Sequence, residues 1–220
     1  MGLDKIDIYY DHYKETCNLS KQTQNRRNKF FVWLCILEAV SFMFLLKPDE
    51  TVEIFSDGIN AHFKTNIVFG NSVLQTLLWI VIAYITVRYC QDTLYVRRLY
   101  PYVDKLEKEI IKTGKVILFE REGQGYLKEY PMVLNFIDLF YKMFCPILFL
   151  GINIVHIIRE WQGSAVSIAL VCDTVIFGEI FLITWFYFFE IHSKLSNWCK
   201  IHIPLIGCID NKLRKILKEV

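Results

Sequence analysis

Five ionisable side chains stand inside segments otherwise built of Leu, Ile, Phe and Val: Glu38, Asp138, Lys142, Asp173 and Glu179. Each costs about 2.5–3.5 kcal/mol at the centre of a membrane helix, so such residues are kept where they pair, hydrogen-bond or face water. Gln75, Asn153 and His156 add uncharged polar groups to the same segments. At about 100° per residue, Lys142, Asn153 and His156 project close to Asp138, giving one polar stripe on a single helix. Glu38, Gln75 and Asp173 lie about 12–15 Å from the expected ends of their segments, in one mid-membrane layer.

Two chemistries fit this polar set. In one, Asp138 pairs with Lys142 four residues on, and Glu38, Gln75 and Asp173 hydrogen-bond within the chain as structural groups. In the other, bundles associate and the carboxylates line a water-filled path, where four acids against one lysine favour cations. A second set, Gly163, Ser167, Thr174 and Gly178, forms a small-residue stripe suited to close helix contact. Asp173 and Glu179 are about 120° apart and cannot face one partner.

Enzyme chemistry has little to stand on. Cys199, His202 and Cys208 are too loosely spaced for a zinc site, so neither metal nor cofactor is expected. Gly123-Gln124-Gly125 lacks the third glycine and βαβ setting of a dinucleotide loop, and Thr113-Gly114-Lys115-Val116 lacks the pattern of a phosphate-cradling loop. There is no Gly-x-Ser-x-Gly turn, no His-Glu-x-x-His pair, and no Arg followed four to six residues later by His, as nucleases of the helical ribonuclease families carry. A non-enzymatic protein is the expectation.

The elements that must hold these side chains follow from composition. Of 220 residues, 54% are hydrophobic and 15% aromatic, with a mean hydropathy of +0.30. Four spans of about 20 residues leave no room for a large soluble domain. Apolar runs give transmembrane helices over 30–46, 67–87, 136–158 and 163–189, with Arg159-Glu160-Trp161-Gln162 as a tight turn between the last two. Lys and Arg number six in 1–29, two in 47–66, nine in 88–135, one in 159–162 and six in 190–220, with Lys142 inside a span. By the positive-inside rule both termini and the central segment are cytoplasmic. None of the seven cysteines falls in an outer loop, so no disulfide framework is implied.

The fold class is therefore an all-α membrane protein, four transmembrane helices with cytoplasmic helical extensions. No Pro or Gly interrupts Leu3 to Leu46, so the 1–29 segment is expected to run as a helix into the first span. The 88–135 segment continues the second span past Pro101, with opposite charges three or four residues apart, as on a solvated helix. It is either a structural stalk or a docking surface carrying Lys105, Lys108 and Lys112. In the 190–220 tail, Leu213, Ile216, Leu217 and Val220 share one face of a basic helix suited to an anionic membrane surface. Pro146 should free the carbonyl of Lys142 and bend the third span. The net charge of +2 gives no basis for direct nucleic-acid binding.

The stretches His12-Tyr-Lys-Glu-Thr and Gln24-Asn-Arg-Arg-Asn-Lys-Phe-Phe, Val87-Arg-Tyr-Cys-Gln-Asp with Tyr102-Val-Asp-Lys-Leu-Glu-Lys-Glu, and Phe119-Glu-Arg-Glu-Gly-Gln-Gly-Tyr-Leu-Lys-Glu-Tyr-Pro131 resemble a family of small four-span bacterial membrane proteins. That family resembles in turn the membrane accessory proteins of type VI-B CRISPR systems. The resemblance implies an anti-phage role at the bacterial inner membrane. Such a protein would permeabilise the membrane as a homo-oligomer, or modulate an RNA-guided ribonuclease as a non-conducting partner.

Overall fold

The computed structural model describes residues 3–66, 69–114, 132–163, 166–191 and 202, apart from the side chains of 3–5, 134, 135 and 138. Six α-helices and one π turn account for nearly all of it: α1 (Leu3–Leu46), α2 (Pro48–Phe63), α3 (Asn71–Gly114), α4 (Met132–Leu139), the π turn (Phe140–Phe144), α5 (Cys145–Gly163) and α6 (Ile168–Ile191). Four of these stretches are long and apolar enough to cross a membrane: α1, α3, the π turn running into α5, and α6. The chain is an all-helical, multi-pass membrane protein. The tail over 192–220, His202 apart, and the Gly123-Gln124-Gly125 stretch lie outside the described residues.

α1 and α3 form an antiparallel pair. At 1.5 Å per residue each 44-residue helix is about 66 Å long, twice the ~30 Å of a bilayer core. Side-chain exposure shows where the apolar half lies. Large hydrophobic residues face outward from Val32 to Leu46 on α1 and from Val73 to Tyr84 on α3, joined by Ile147, Leu148, Val175 and Leu182 of the other spans. A belt of that size is covered by lipid rather than by water. About 40 Å of each helix extends beyond the belt, and there the pair has its own small core of Tyr13, Val103, Leu106 and Ile110.

Inside the belt, Phe44 of α1, Leu78, Trp79 and Ile82 of α3, Ile157 of α5 and Ile180 of α6 make one apolar cluster, and Leu34, Tyr89, Cys90, Tyr187 and Ile191 make another nearer the extended pair. Tyr89 and Tyr187 stand 6.2 Å apart between their ring centres in that second cluster. The end of α6 is tied to α3 where the Arg97 guanidinium donates to the Glu190 carbonyl at 2.9 Å.

Three differences from the sequence reading matter for the site. The 47–66 segment, read only as a loop between spans, is mostly helix. Pro48 begins α2, Asp49 and Glu50 sit in its first turn, and Lys64 closes it in the left-handed region at φ 53°. That helix folds onto the end of the bundle, with Phe55 stacked on Phe44 at 6.2 Å and Thr51 buried. The expected turn at 159–162 is also helical, because α5 runs on to Gly163. Ser167 rather than Gly163 then starts the last span: its hydroxyl accepts the Leu170 N–H at 3.2 Å, as an N-cap does.

The third difference is at Pro146. Pro146 has no N–H to donate to the carbonyl four residues back, that of Lys142. The chain widens just before it into the π turn, with the Cys145 N–H bonded to the Phe140 carbonyl five residues back. A π turn inserts about one residue and rotates what precedes it by about 100°. The single stripe from Asp138 to His156 therefore does not hold across it.

Candidate functional site

Three polar residues at helical spacing on α5, Asn153, His156 and Glu160, face the interior of the bundle, and all three are buried. Asn153 and His156 meet α1, and Glu160 meets α3. The Asn153 amide donates to Glu38 Oε1 of α1 at 2.8 Å and to the Phe149 carbonyl at 2.8 Å. His156 Nδ1 lies 2.7 Å from the Ser41 hydroxyl, and its Nε2 lies 3.2 Å from Glu160 Oε1. The same Glu160 oxygen accepts the Trp79 indole N–H of α3 at 2.9 Å. The Trp79 ring stacks on His156 with centres 5.3 Å apart. Asp173 of α6 lies within electrostatic reach of Glu160 and beside Thr76 of α3.

These contacts join all four spans into one polar line. Its end near α2 is Glu160 with Asp173. The latter is only five residues into α6, so it lies about 8 Å from the helix start, shallower than the mid-membrane layer expected for it. Glu38, eight residues from the end of α1, is about 12 Å in. Part of each group is left over: Glu38 Oε2, Asn153 Oδ1, His156 Nε2, Glu160 Oε2 and Asp173 Oδ1 are buried without a hydrogen-bond partner in the protein. Polar atoms of that kind inside a bilayer are costly unless water reaches them.

Beside Glu38 lies a cavity of about 30 Å³, lined by Glu38, Asn153, Thr86 and Thr184 together with the rings of Phe31 and Tyr89. Phe31 meets Tyr141 of the π turn edge-on at 5.0 Å and Tyr89 at 6.0 Å. The Tyr89 hydroxyl donates to the Tyr141 carbonyl at 3.4 Å. An open groove of about 360 Å³ is lined by the Phe31 and Tyr89 rings and by Arg27, Asn28, Tyr141 and Lys142. Polar line, cavity, aromatic rings and groove thus follow one another from the α2 end of the bundle to the start of the α1 and α3 extensions.

Of the residues singled out from sequence, Glu38, Asn153, His156 and Asp173 come together. They do so inside one chain, Glu38 being 2% exposed and Asp173 3%, not on an outer face that neighbouring copies would share. Gln75 is half-buried and Glu179 is exposed near Arg88 and Gln91, outside the line. Lys142 lines the open groove, and the side chain of Asp138 is outside the described residues. The small-residue stripe is divided: Gly163 ends α5, Ser167 caps α6, and only Thr174 and Gly178 share a helix. A side chain at Gly163 or Gly178 would meet nothing within 4 Å, so no helix of the same chain packs closely there. Lys105, Lys108 and Lys112 are exposed on the α3 extension, and Lys108 bonds Asp104 at 2.6 Å.

Ser41, Trp79 and Glu160 were not legible as members. Ser41 is one helical step from Glu38, and Glu160 is four residues past His156, so continuing both helical projections would have found them. The apparent turn around Trp161 concealed Glu160. No protein-family model, curated protein or solved structure matches this chain.

Proposed function

We propose that this protein is a membrane effector of bacterial anti-phage defence that lets ions cross the inner membrane through the interior of its own bundle, with both termini in the cytoplasm. The observation that carries the reading is the polar line from Asp173 and Glu160 to Glu38. It continues into a cavity and an open groove and crosses a region otherwise packed with apolar side chains. Three acids in that region, partly unpartnered, serve function better than packing, since apolar residues of the same volume would seat the helices without the insertion cost. Homo-oligomerisation would then place several such bundles side by side, with Thr174 and Gly178 on the outer surface available for contact.

The test is membrane potential, followed by dye fluorescence in cells expressing the chain with and without an RNA-guided ribonuclease and its target RNA. Depolarisation that depends on the target and weakens in Glu38→Gln and Asp173→Asn is the expected result. An unchanged potential in cells where the wild-type protein is inserted would sink the reading.

The α1 and α3 extensions favour a second reading, a non-conducting regulator that docks the ribonuclease. About 40 Å of paired helix presenting Lys105, Lys108 and Lys112 is more surface than anchoring four spans requires. Exchanging those three lysines for glutamate should abolish co-purification of the ribonuclease; unchanged co-purification counts against docking there.

A further inference from the structure

We propose that the groove between α1 and α3, where the pair leaves the membrane, binds an anionic phospholipid. Arg88 and Arg98 hold its phosphate, and its acyl chains lie in the adjoining apolar groove of α3 and α6. The site lies outside the polar line and is independent of what passes through the bundle.

Depth places the groove at the headgroups. Counted along α3 from its first residue, Asn71, Arg88 stands about 26 Å away and Arg98 about 40 Å at 1.5 Å per residue. A bilayer has a hydrocarbon core of about 30 Å and a full thickness of about 40–45 Å. With the start of α3 at one edge of the core, the two arginines bracket the headgroup layer at the other edge. Tyr84, one turn before Arg88, is 57% exposed, and tyrosine is enriched at that level of a membrane.

Two grooves meet at this level. One, of about 550 Å³, is lined by Gln22 and Arg26 of α1 and by Arg88, Gln91, Asp92 and Arg98 of α3. The other, of about 400 Å³, lies on the belt side among Ile80, Ala83 and Val87 of α3 and Ile176 of α6. Arg88 and Gln91 line both, so a polar trough opens directly onto an apolar one. A phospholipid has that division of polar head and apolar chains. A free phosphate would fill only the polar part.

Charge selects the headgroup. In the polar trough three arginines face one carboxylate. Asp92 is occupied by Arg26, whose Nε donates to it at 2.7 Å, which leaves Arg88 and Arg98 without an acid partner among the described residues. Arg88 donates from Nη1 to the neutral Gln91 side chain at 3.2 Å, its Nε is buried without a partner, and the Phe30 ring centre lies 6.0 Å from its guanidinium carbon. A guanidinium at the edge of hydrocarbon with no anion of its own is costly, and phosphate oxygens satisfy it through charge-assisted bonds. Glu179 lines the belt-side groove. Counting it as ionised still leaves one positive charge over the two grooves, so an ammonium headgroup is disfavoured and an anionic lipid is preferred.

The experiment uses the purified full chain in detergent micelles. Phosphatidylglycerol or phosphatidylethanolamine with the same acyl chains is titrated in, and bound lipid is counted by native mass spectrometry. The wild type should bind phosphatidylglycerol at least about tenfold more tightly. Arg88→Gln combined with Arg98→Gln should lose that preference, while Arg88→Lys combined with Arg98→Lys keeps part of it because the charges remain. Ile176→Trp, which fills the belt-side groove and leaves every arginine in place, should weaken phosphatidylglycerol binding several-fold. Equal binding of the two lipids by the wild type would overturn the selection by charge. A preference that survives the double glutamine change would put the lipid elsewhere and overturn the site. Displacement of phosphatidylglycerol by inorganic phosphate, with Ile176→Trp binding as well as the wild type, would make this a free-anion site and overturn the lipid assignment.

Discussion

The two halves of the α1–α3 pair are built from the same two helices and solve opposite problems. In the extension, the polar side chains that reach the interface find partners close by. Arg26 clamps Asp92 through two nitrogens, one at 2.7 Å, and the Tyr13 hydroxyl donates to Glu107 at 3.2 Å. Thr16, Thr23 and Thr93 return their hydroxyls to carbonyls four residues back on their own helices. In the membrane half, Glu38, Asn153, Glu160 and Asp173 are each buried with an oxygen left over, whereas among the described side chains of 6–37 and 85–114 only Arg88 Nε is left so. The difference runs against expectation, because unmet polar groups cost more in lipid than beside water. The extension is arranged for stability, and the membrane half gives up stability for a polar line.

That contrast can be broken first in the extension, where the largest stability effects belong. Leu106→Ala removes a side chain from the core with Tyr13, Val103 and Ile110 and should cost about 2–4 kcal/mol. Hydrogen exchange should show the extension opening while ion flux through the bundle persists. Equal loss of flux would mean the two halves are one cooperative unit. Asp92→Ala comes next. It strands the Arg26 guanidinium, but Arg26 is half exposed and water can take over, so the expected cost is about 2 kcal/mol. Charge reversal of both partners, Arg26→Asp with Asp92→Arg, should recover a measurable share.

A smaller effect sharpens the comparison through pH. Burial, then the neighbouring Cys17 and Glu107, push the Tyr13 hydroxyl above the ordinary tyrosine value. The fold therefore favours the neutral form. That stabilisation is complete below about pH 10, where an unfolded tyrosine titrates, and is lost progressively as pH rises beyond it. Tyr13→Phe should lower stability by about 1 kcal/mol at neutral pH and remove the part of the alkaline destabilisation that Tyr13 contributes, as followed by thermal melts across pH 8–11. The smallest stability effect belongs to the site itself. Glu38→Gln keeps the oxygen that accepts the Asn153 amide, so melting should shift by less than about 1 kcal/mol even as ion movement fails. A large destabilisation would make Glu38 a structural residue.

Some of this was legible from residues alone, and the reason differs by element. The unbroken run from Leu3 to Leu46 contains no helix breaker, and α1 spans it whole. Four apolar stretches of membrane length follow from hydropathy, because bilayer thickness imposes a length that any sequence must meet. The spacing of Asn153 and His156 put both on one face, and the structure keeps them there because the helix between them is regular. Asp138 was tied to that face only by assuming an α-helix through Pro146, where the backbone widens instead. Glu160 was lost because Trp161, Gln162 and Gly163 have the composition of a turn, yet the helix continues to Gly163 and the next one is capped separately by Ser167.

The sequence by itself determined that four helices are long and apolar enough to cross a membrane, that α1 runs unbroken from Leu3 to Leu46, and that Asn153 and His156 share a face of α5. Those are properties of one helix at a time, set by periodicity, length and breakers. Only the tertiary structure decided that Glu38 meets Asn153, that Ser41 bonds His156 Nδ1 while Glu160 lies beside the same ring, and that Phe31 and Tyr89 line both a small cavity and an open groove. Partners across helices depend on how far each helix is shifted along its axis and rotated about it. A difference of one residue turns a side chain by about 100°, and here the π turn before Pro146 and the cap at Ser167 fix those offsets.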